Sequence, residues 1–444
     1  MGISMFGNIK KTISYYKRNG FTATWYAVQE RLWEKKHLKY EYIPPEEGEL
    51  EKQRIKKYGR PLKFSVVVPA YETPEVFLQD LILSVTEQTY PDWELVIADA
   101  SESNAVKKVV NSFREQYAGI EYHKLDSNEG ISGNTNEALR FVKGDYIVLL
   151  DHDDFITPDA FFCLRQAIDK SDSPVLVYSD EDKTNRYVEG FFEQHKKRDF
   201  DREILLSNNY ICHLSAFRAD VIKELKLRKE FDGAQDHDLI LRTVQYCRDK
   251  YGEEAVKDKI IHVPKVLYHW RCHDASTASD PNHKQYAFDA GRHAIEEALK
   301  EEGISAKVSE MKHLGFFRVD YEGGIFTQRP SVGIVGGALV KNEKIYGGAM
   351  DAEGKVIFDG LYAGFSGPMH IAALRQTVPA VDIRNCIIRD ELIDLYKEVT
   401  GYEYPFPGDD DAERVKGKSL KFCNKLRDKG IEVIYDPELK QDPG

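Results

Sequence analysis

Three clusters of polar residues have the types and spacing to do chemistry. Asp151-His152-Asp153-Asp154 follows directly on the apolar Val148-Leu149-Leu150. Carboxylates at the open end of a buried strand must be solvated or paired. A divalent cation with a diphosphate satisfies that need, and oxygen ligands select Mn2+ or Mg2+. The competing structural reading is a strand end whose Asp153 or Asp154 caps a helix. A phosphatase of the D-x-D-x-T pattern is disfavoured, because Phe155 stands where that pattern needs Thr. The second cluster runs from Phe231 to Arg242. Ile240, Val244 and Cys247 mark a helix face, which puts Asp236 in the first turn. An acid there is favoured by the helix dipole alone. It is also a carboxylate able to take a hydroxyl proton, with Asp238 the second candidate. The third cluster is Val263 to Arg271, an extended segment carrying His269 and Arg271, with His273 just beyond. Arg271 suits a phosphate or a surface carboxylate equally.

The elements that must position these groups alternate. Strands are expected at Phe64–Val68, Leu95–Ala98, Ile120–Lys124 and Tyr146–Leu150, and helices at Val76–Gln88, Val106–Phe113 and Asn134–Phe141. This rhythm predicts βαβ units and a mainly parallel sheet flanked by helices. Ligands then bind at the carboxyl ends of the strands, where Tyr71-Glu72, Asp99 and Asp151 lie. A further helix is expected over Lys284–Glu302. The pairs Gly323-Gly324, Gly336-Gly337 and Gly347-Gly348 read as hairpin turns.

Several motifs in fixed order carry a resemblance: Phe64 to Glu72, Ser84 to Asp99, Asn128 to Asn134, and Gly144 to Asp154. Over about residues 63–300 the chain resembles the family 2 glycosyltransferases. The resemblance implies a GT-A fold, a nucleotide-sugar donor and inversion at the anomeric carbon. It puts Pro69, Ala70, Tyr71 and Glu72 under the nucleotide, and Asp99 against a uracil or thymine. Asn128, Gly130, Gly133 and Asn134 cover ribose and phosphates, Asp151 and Asp153 hold the metal-diphosphate, and His269 completes the metal shell, with His273 the nearby alternative. Plain capping and turn roles are the alternatives for Asp99, Gly130 and Gly133. The family's Glu-Asp pair has Gln235 in place of Glu here, which leaves Asp236 as base. Tyr178 to Lys183 and Asn208 to His213 resemble a subset acting in bacterial surface polysaccharide synthesis. The acidic Asp180-Glu181-Asp182 is assigned to the acceptor side, with a solvated loop as alternative.

Three regions are expected: a basic helical segment and linker over 1–60, a catalytic domain over 61–315, and a non-catalytic region over 316–444. The last resembles the back half of a second GT-A unit. It reads as an acceptor platform or a homodimer surface. The net charge of −12 argues against nucleic acid as a partner. Yet residues 1–40 hold eight Lys/Arg and two Glu, a local +6 against −18 elsewhere. With Trp25, Val28 and Leu32 at helical spacing, this segment either contacts an anionic membrane or packs its stripe on the protein. Six scattered cysteines without a C-x-x-C pair fit a cytoplasmic protein. The partners implied are a nucleotide sugar and a glycan or lipid-linked glycan acceptor. A glycan-binding pseudo-transferase and a sugar nucleotidyltransferase are the rival functions.

Overall fold

The computed structural model describes residues 5–273, 285–408 and 410–440. Two compact units emerge. One comprises residues 40–200 and 209–302, the other residues 1–39, 201–208 and 303–444.

The first unit is built on a nine-stranded sheet. Its strands are β1 (Phe64–Ala70), β2 (Trp93–Asp99), β3 (Ile120–Lys124), β4 (Tyr146–Leu149), β5 (Phe155–Ile156), β6 (Leu176–Asn185), β7 (Phe191–His195), β8 (Ser215–Arg218) and β9 (Ile260–Cys272). The order is β3-β2-β1-β4-β8-β6-β9-β5, with β7 on β6. β3, β2, β1 and β4 are mutually parallel. β8 then runs antiparallel to both β4 and β6, and β9 parallels β6. The expected α/β class is present, with antiparallel pairings added in the half that carries β5 to β9. The β-branched runs Val66-Val67-Val68 and Val96-Ile97 suit a sheet buried on both faces. Leu78, Leu81 and Ile82 of the helix Glu75–Thr86, and Phe161 and Leu164 of Ala160–Lys170, join Val66, Val68 and Ile97 in one core.

The register puts Ala70 beside Asp99 and Asp99 beside Lys124, so the parallel strands end along one edge. β8 enters beside the end of β4, with Ser215 opposite Leu149. Residues 209–213, which precede β8, therefore arrive at the Asp151 edge. The acidic run Asp180-Glu181-Asp182 lies on buried β6, each carboxylate paired: Asp180 with His262 (2.8 Å), Glu181 with Lys197 (3.2 Å) and Asp182 with His269 (2.5 Å). Neither a solvated loop nor an exposed acceptor contact describes it.

In the second unit, Val332–Gly336 pairs parallel with Glu432–Tyr435 and antiparallel with Cys386–Ile388. The helices Ile393–Thr400 and Ala412–Arg427 cover this small sheet through Tyr396, Phe422 and Leu426. The double glycines are not its hairpin turns. The hairpin Leu339–Lys341/Lys344–Gly347 turns at Asn342-Glu343, both at positive φ. Gly336 instead permits close packing: a Cβ there would lie 2.4 Å from the side chain of Val381. Asp411 caps the helix Ala412–Arg427 by accepting from Arg414 N–H (3.1 Å). Asp410 accepts from the Tyr402 hydroxyl, and Asp409 lies outside the described residues. The six cysteines form no disulfide. Among the described residues, no helix is long and apolar enough to cross a membrane.

Candidate active site

β4 delivers Asp151 and Asp153 to the carboxyl edge of the sheet. Asp151 is partly exposed and lies 3.8 Å from His213 Nε2. Its carboxyl is pushed above the ordinary Asp range chiefly by desolvation; His213 opposes the rise, and the like charges of Asp153 and Asp236 add to it. Asp153 Oδ2 is 2.8 Å from His273 Nε2. Asp154 is buried, accepting from Tyr268 OH (2.5 Å) and the Arg271 N–H (2.7 Å). Burial, then Asp153 and Asp151, raise it well above the ordinary range. Asp154 therefore braces the turn from below.

The strand β9 spans Ile260–Cys272, close to the expected Val263–Arg271, and its pairing with β6 and β5 bears on two roles. His269 lies within β9, its Nδ1 2.5 Å from Asp182 and its ring among Tyr42, Phe155 and Phe191. It is not brought to Asp153; the histidine that reaches that carboxylate is His273, just past the strand's end. Arg271 is wholly buried. It donates to Asp153 O (2.8 Å), Arg186 O (3.0 Å) and Asp80 Oδ2 (2.8 Å), over the rings of Phe77 and Phe155. Of the two partners the sequence allows, phosphate or carboxylate, the structure shows the carboxylate, and the guanidinium also fixes the Asp151–Asp154 turn through Asp153 O.

Asp236 opens the helix Gln235–Tyr251. Its Oδ2 accepts from Asn209 Nδ2 (2.7 Å), and its Oδ1 from the His237 N–H (2.9 Å). Cys212 Sγ lies 3.7 Å from the same Oδ2. Asp238 is buried and bonded by Arg242 (2.7 Å) and by Arg228. Of the two acids, Asp236 alone keeps solvent access. Asn209 and His213 are the residues that sequence reasoning left without a role. The signal for them was topological: a polar run ahead of a strand that pairs antiparallel with β4.

The loops at the ends of β1 and β2 are laced together. Tyr71 is exposed. Glu72 takes the Ser103 N–H (2.9 Å) and hydroxyl (2.7 Å), bonds that lower its pKa. Pro69 and Ala70 complete β1 above the core. Asp99 is fully buried, bonded by the Ser101 N–H (2.9 Å) and the Tyr122 hydroxyl (2.7 Å). A base contact would need that hydroxyl to turn away. Asn128 Oδ1 accepts from the Gly130 N–H (3.1 Å) and from Asn134 Nδ2 (2.9 Å). Gly130 has φ +80°, and a Cβ there would lie 2.6 Å from Asp232 Oδ2. A Cβ on Gly133 would lie 2.5 Å from Glu129 Cβ. These residues shape the entrance by local bonding.

Among the described residues, no three His, Cys, Asp or Glu side chains gather to hold a metal. Asp153 and His273 offer two donor atoms 2.8 Å apart. Neighbouring ligands on an octahedral ion with ~2.1 Å bonds are about 3 Å apart. A Mn2+ or Mg2+ that keeps waters and takes substrate phosphate oxygens fits such a pair.

The sequence profile of glycosyl transferase family 2 matches residues 65–226. A protein of Sinorhizobium fredii is 38% identical over 239 residues, 53% of this chain and 25% of that protein. An O-antigen biosynthesis protein of Myxococcus xanthus is 31% identical over 255 residues, 56% of this chain and 19% of that protein. The chain thus spans a quarter or less of the length of these two relatives. Among solved structures, the Staphylococcus aureus TarS fragment 1–349 with UDP aligns at 18% identity and TM-score 0.41, over 54% of this chain and 65% of that one.

Proposed function

Residues 65–226 belong to glycosyl transferase family 2, and from that premise we propose that the protein is an inverting, metal-dependent glycosyltransferase. It moves a sugar from a UDP- or dTDP-linked donor to a glycan acceptor, lipid-linked or free, in surface polysaccharide synthesis. The O-antigen role of the Myxococcus relative supports that setting. The observation that carries the reading is the meeting at one sheet edge of Asp151, the Asp153–His273 pair and Asp236.

Asp236 accepts the proton of the acceptor hydroxyl as its oxygen bonds to the anomeric carbon. The bond from that carbon to the phosphate oxygen breaks, and its electron pair leaves with the nucleoside diphosphate. Asn209 keeps Oδ2 of Asp236 in place. Asp153 and His273 would hold Mn2+ or Mg2+, which supplies charge neutralisation for the departing diphosphate. Asp151 faces the same space, and the Tyr71–Glu72 and Asn128–Asn134 loops frame the nucleotide. The second unit, with its acids committed to a helix cap and a tyrosine, serves as acceptor platform or self-association surface.

The test is nucleotide release from a panel of nucleotide sugars with and without Mn2+. Turnover that stops with excess chelator and returns with Mn2+ or Mg2+ supports the proposal. Full turnover in chelator overturns the metal assignment. Binding of glycans without turnover of any donor favours the pseudo-transferase.

A further inference from the structure

The helix Met5–His37 bends at Gly20 (φ 78°). One side of its second half packs within its own unit. Glu30 is buried, accepting from the Gly367 N–H (2.6 Å) and the Ser366 hydroxyl (3.0 Å), and Tyr26 meets Phe365 edge-on. Phe21, Trp25, Val28 and Leu32 point the other way, with 70%, 54%, 40% and 58% of their surface exposed. At 3.6 residues per turn these four fall within an arc of about 60°, roughly opposite Glu30. The stripe that a packed helix would bury is the one left open.

The flanks of the stripe carry a charge pattern. Arg31, Lys35 and Lys36 are exposed beside it, and Lys39 follows the helix. Glu30, one of only two acids in residues 1–40, is turned inward. An anionic surface with an apolar interior satisfies both features at once.

We propose that this helix is an interfacial anchor. Phe21, Trp25, Val28 and Leu32 insert shallowly into an anionic lipid bilayer, while Arg31, Lys35, Lys36 and Lys39 lie at the headgroups. The inference stands apart from the transferase reading, since it uses no residue of the candidate site.

Flotation of the full chain with vesicles tests it. Vesicles of phosphatidylcholine with phosphatidylglycerol should carry the protein, pure phosphatidylcholine about tenfold less, and high salt should release it. The variant Phe21→Ser/Trp25→Ser/Leu32→Ser should bind about tenfold less with unchanged circular dichroism and Tm, because its side chains are exposed. As an independent reading, brominated lipids should quench the intact protein's fluorescence and lose most of that effect on Trp25→Phe. Absence of flotation by the intact protein overturns the proposal, as does equal flotation by the triple variant. So does a dimer in light scattering that the triple variant abolishes without any lipid binding, which would assign the stripe to a second copy.

Discussion

The two units treat their acidic side chains in opposite ways. In the unit of residues 1–39, 201–208 and 303–444, arginines close on two of the deep carboxylates. Glu203 is bonded by Arg329 and by the Tyr321 hydroxyl (3.2 Å), and Asp436 by Arg318 (2.7 Å) and Arg375 (2.8 Å). Burial alone would raise both groups, yet Arg329 holds Glu203 below its ordinary pKa, and Arg318 and Arg375 bring Asp436 to about 2. At the sheet edge of the other unit, the side-chain partners of Asp151, Asp153 and Asp236 among the described residues are histidines, an amide and a thiol. Acids neutralised by guanidinium hold a fold together. Acids left with weak or titratable partners keep the capacity to bind a cation or a proton.

The largest effect should come from the acid with the least compensation. Asp236→Asn should lower kcat by about 10²–10⁴-fold with donor binding kept. Steady-state kinetics beside a donor-binding isotherm would show it, and Asp238→Asn should instead lower Tm. Removing one partner of the opposite class should unfold rather than inactivate: Arg329→Met, which leaves Glu203 buried without its main cation, should cost about 3–5 kcal/mol in denaturant unfolding. Next in size is the choice between histidines. His273→Ala should weaken apparent Mn2+ affinity by about 10–100-fold, while His269→Ala should leave it within a few-fold and cost stability. A metal titration of activity that ranks them the other way restores His269 as ligand.

A smaller effect concerns two stacked imidazoles in the second unit, His313 and His370, with centroids 3.6 Å apart. Desolvation, then neighbouring positive charge, lowers them from 6.5 to about 4 and about 3. Below pH 6.5 the unfolded chain binds protons that the folded one refuses, so stability should fall between pH 6.5 and about pH 4. Thermal melts should show that loss, and His370→Phe should remove about half of it. The smallest effect belongs to Asp410→Asn with Asp411→Asn, which should leave nucleotide release and Tm nearly unchanged, because Asn caps a helix as well as Asp does.

Much of this contrast was legible in the residues. β-branched runs ending in polar groups located β1, β2 and β4, and with them Asp151 and Asp153. Asp236 was legible because helical periodicity places it in a first turn. What escaped depended on how β9 pairs. The expected strand over Val263–Arg271 is there, but only its pairing with β6 and β5 shows that His269 is held by Asp182 and that Arg271 turns inward. Pairing was equally hidden: β8 returns antiparallel to β4, and only that brings Asn209 and His213 to the site. The acids of β6 looked exposed because their partners, His262, Lys197 and His269, are distant in sequence.

The short segment 201–208 has a bearing on biosynthesis. It carries Glu203, one of the carboxylates closed upon by Arg329 and Arg375. Those arginines leave the ribosome more than a hundred residues later. The helix Met5–His37 likewise waits for Ser366 and Gly367 to receive Glu30. The unit that holds both can therefore close only after Ser366 and Gly367 have been made, whereas residues 40–302 already hold the whole nine-stranded sheet. A growing chain in which a basic, aromatic helix emerges more than three hundred residues before its protein partner leaves that helix available to other surfaces over that interval.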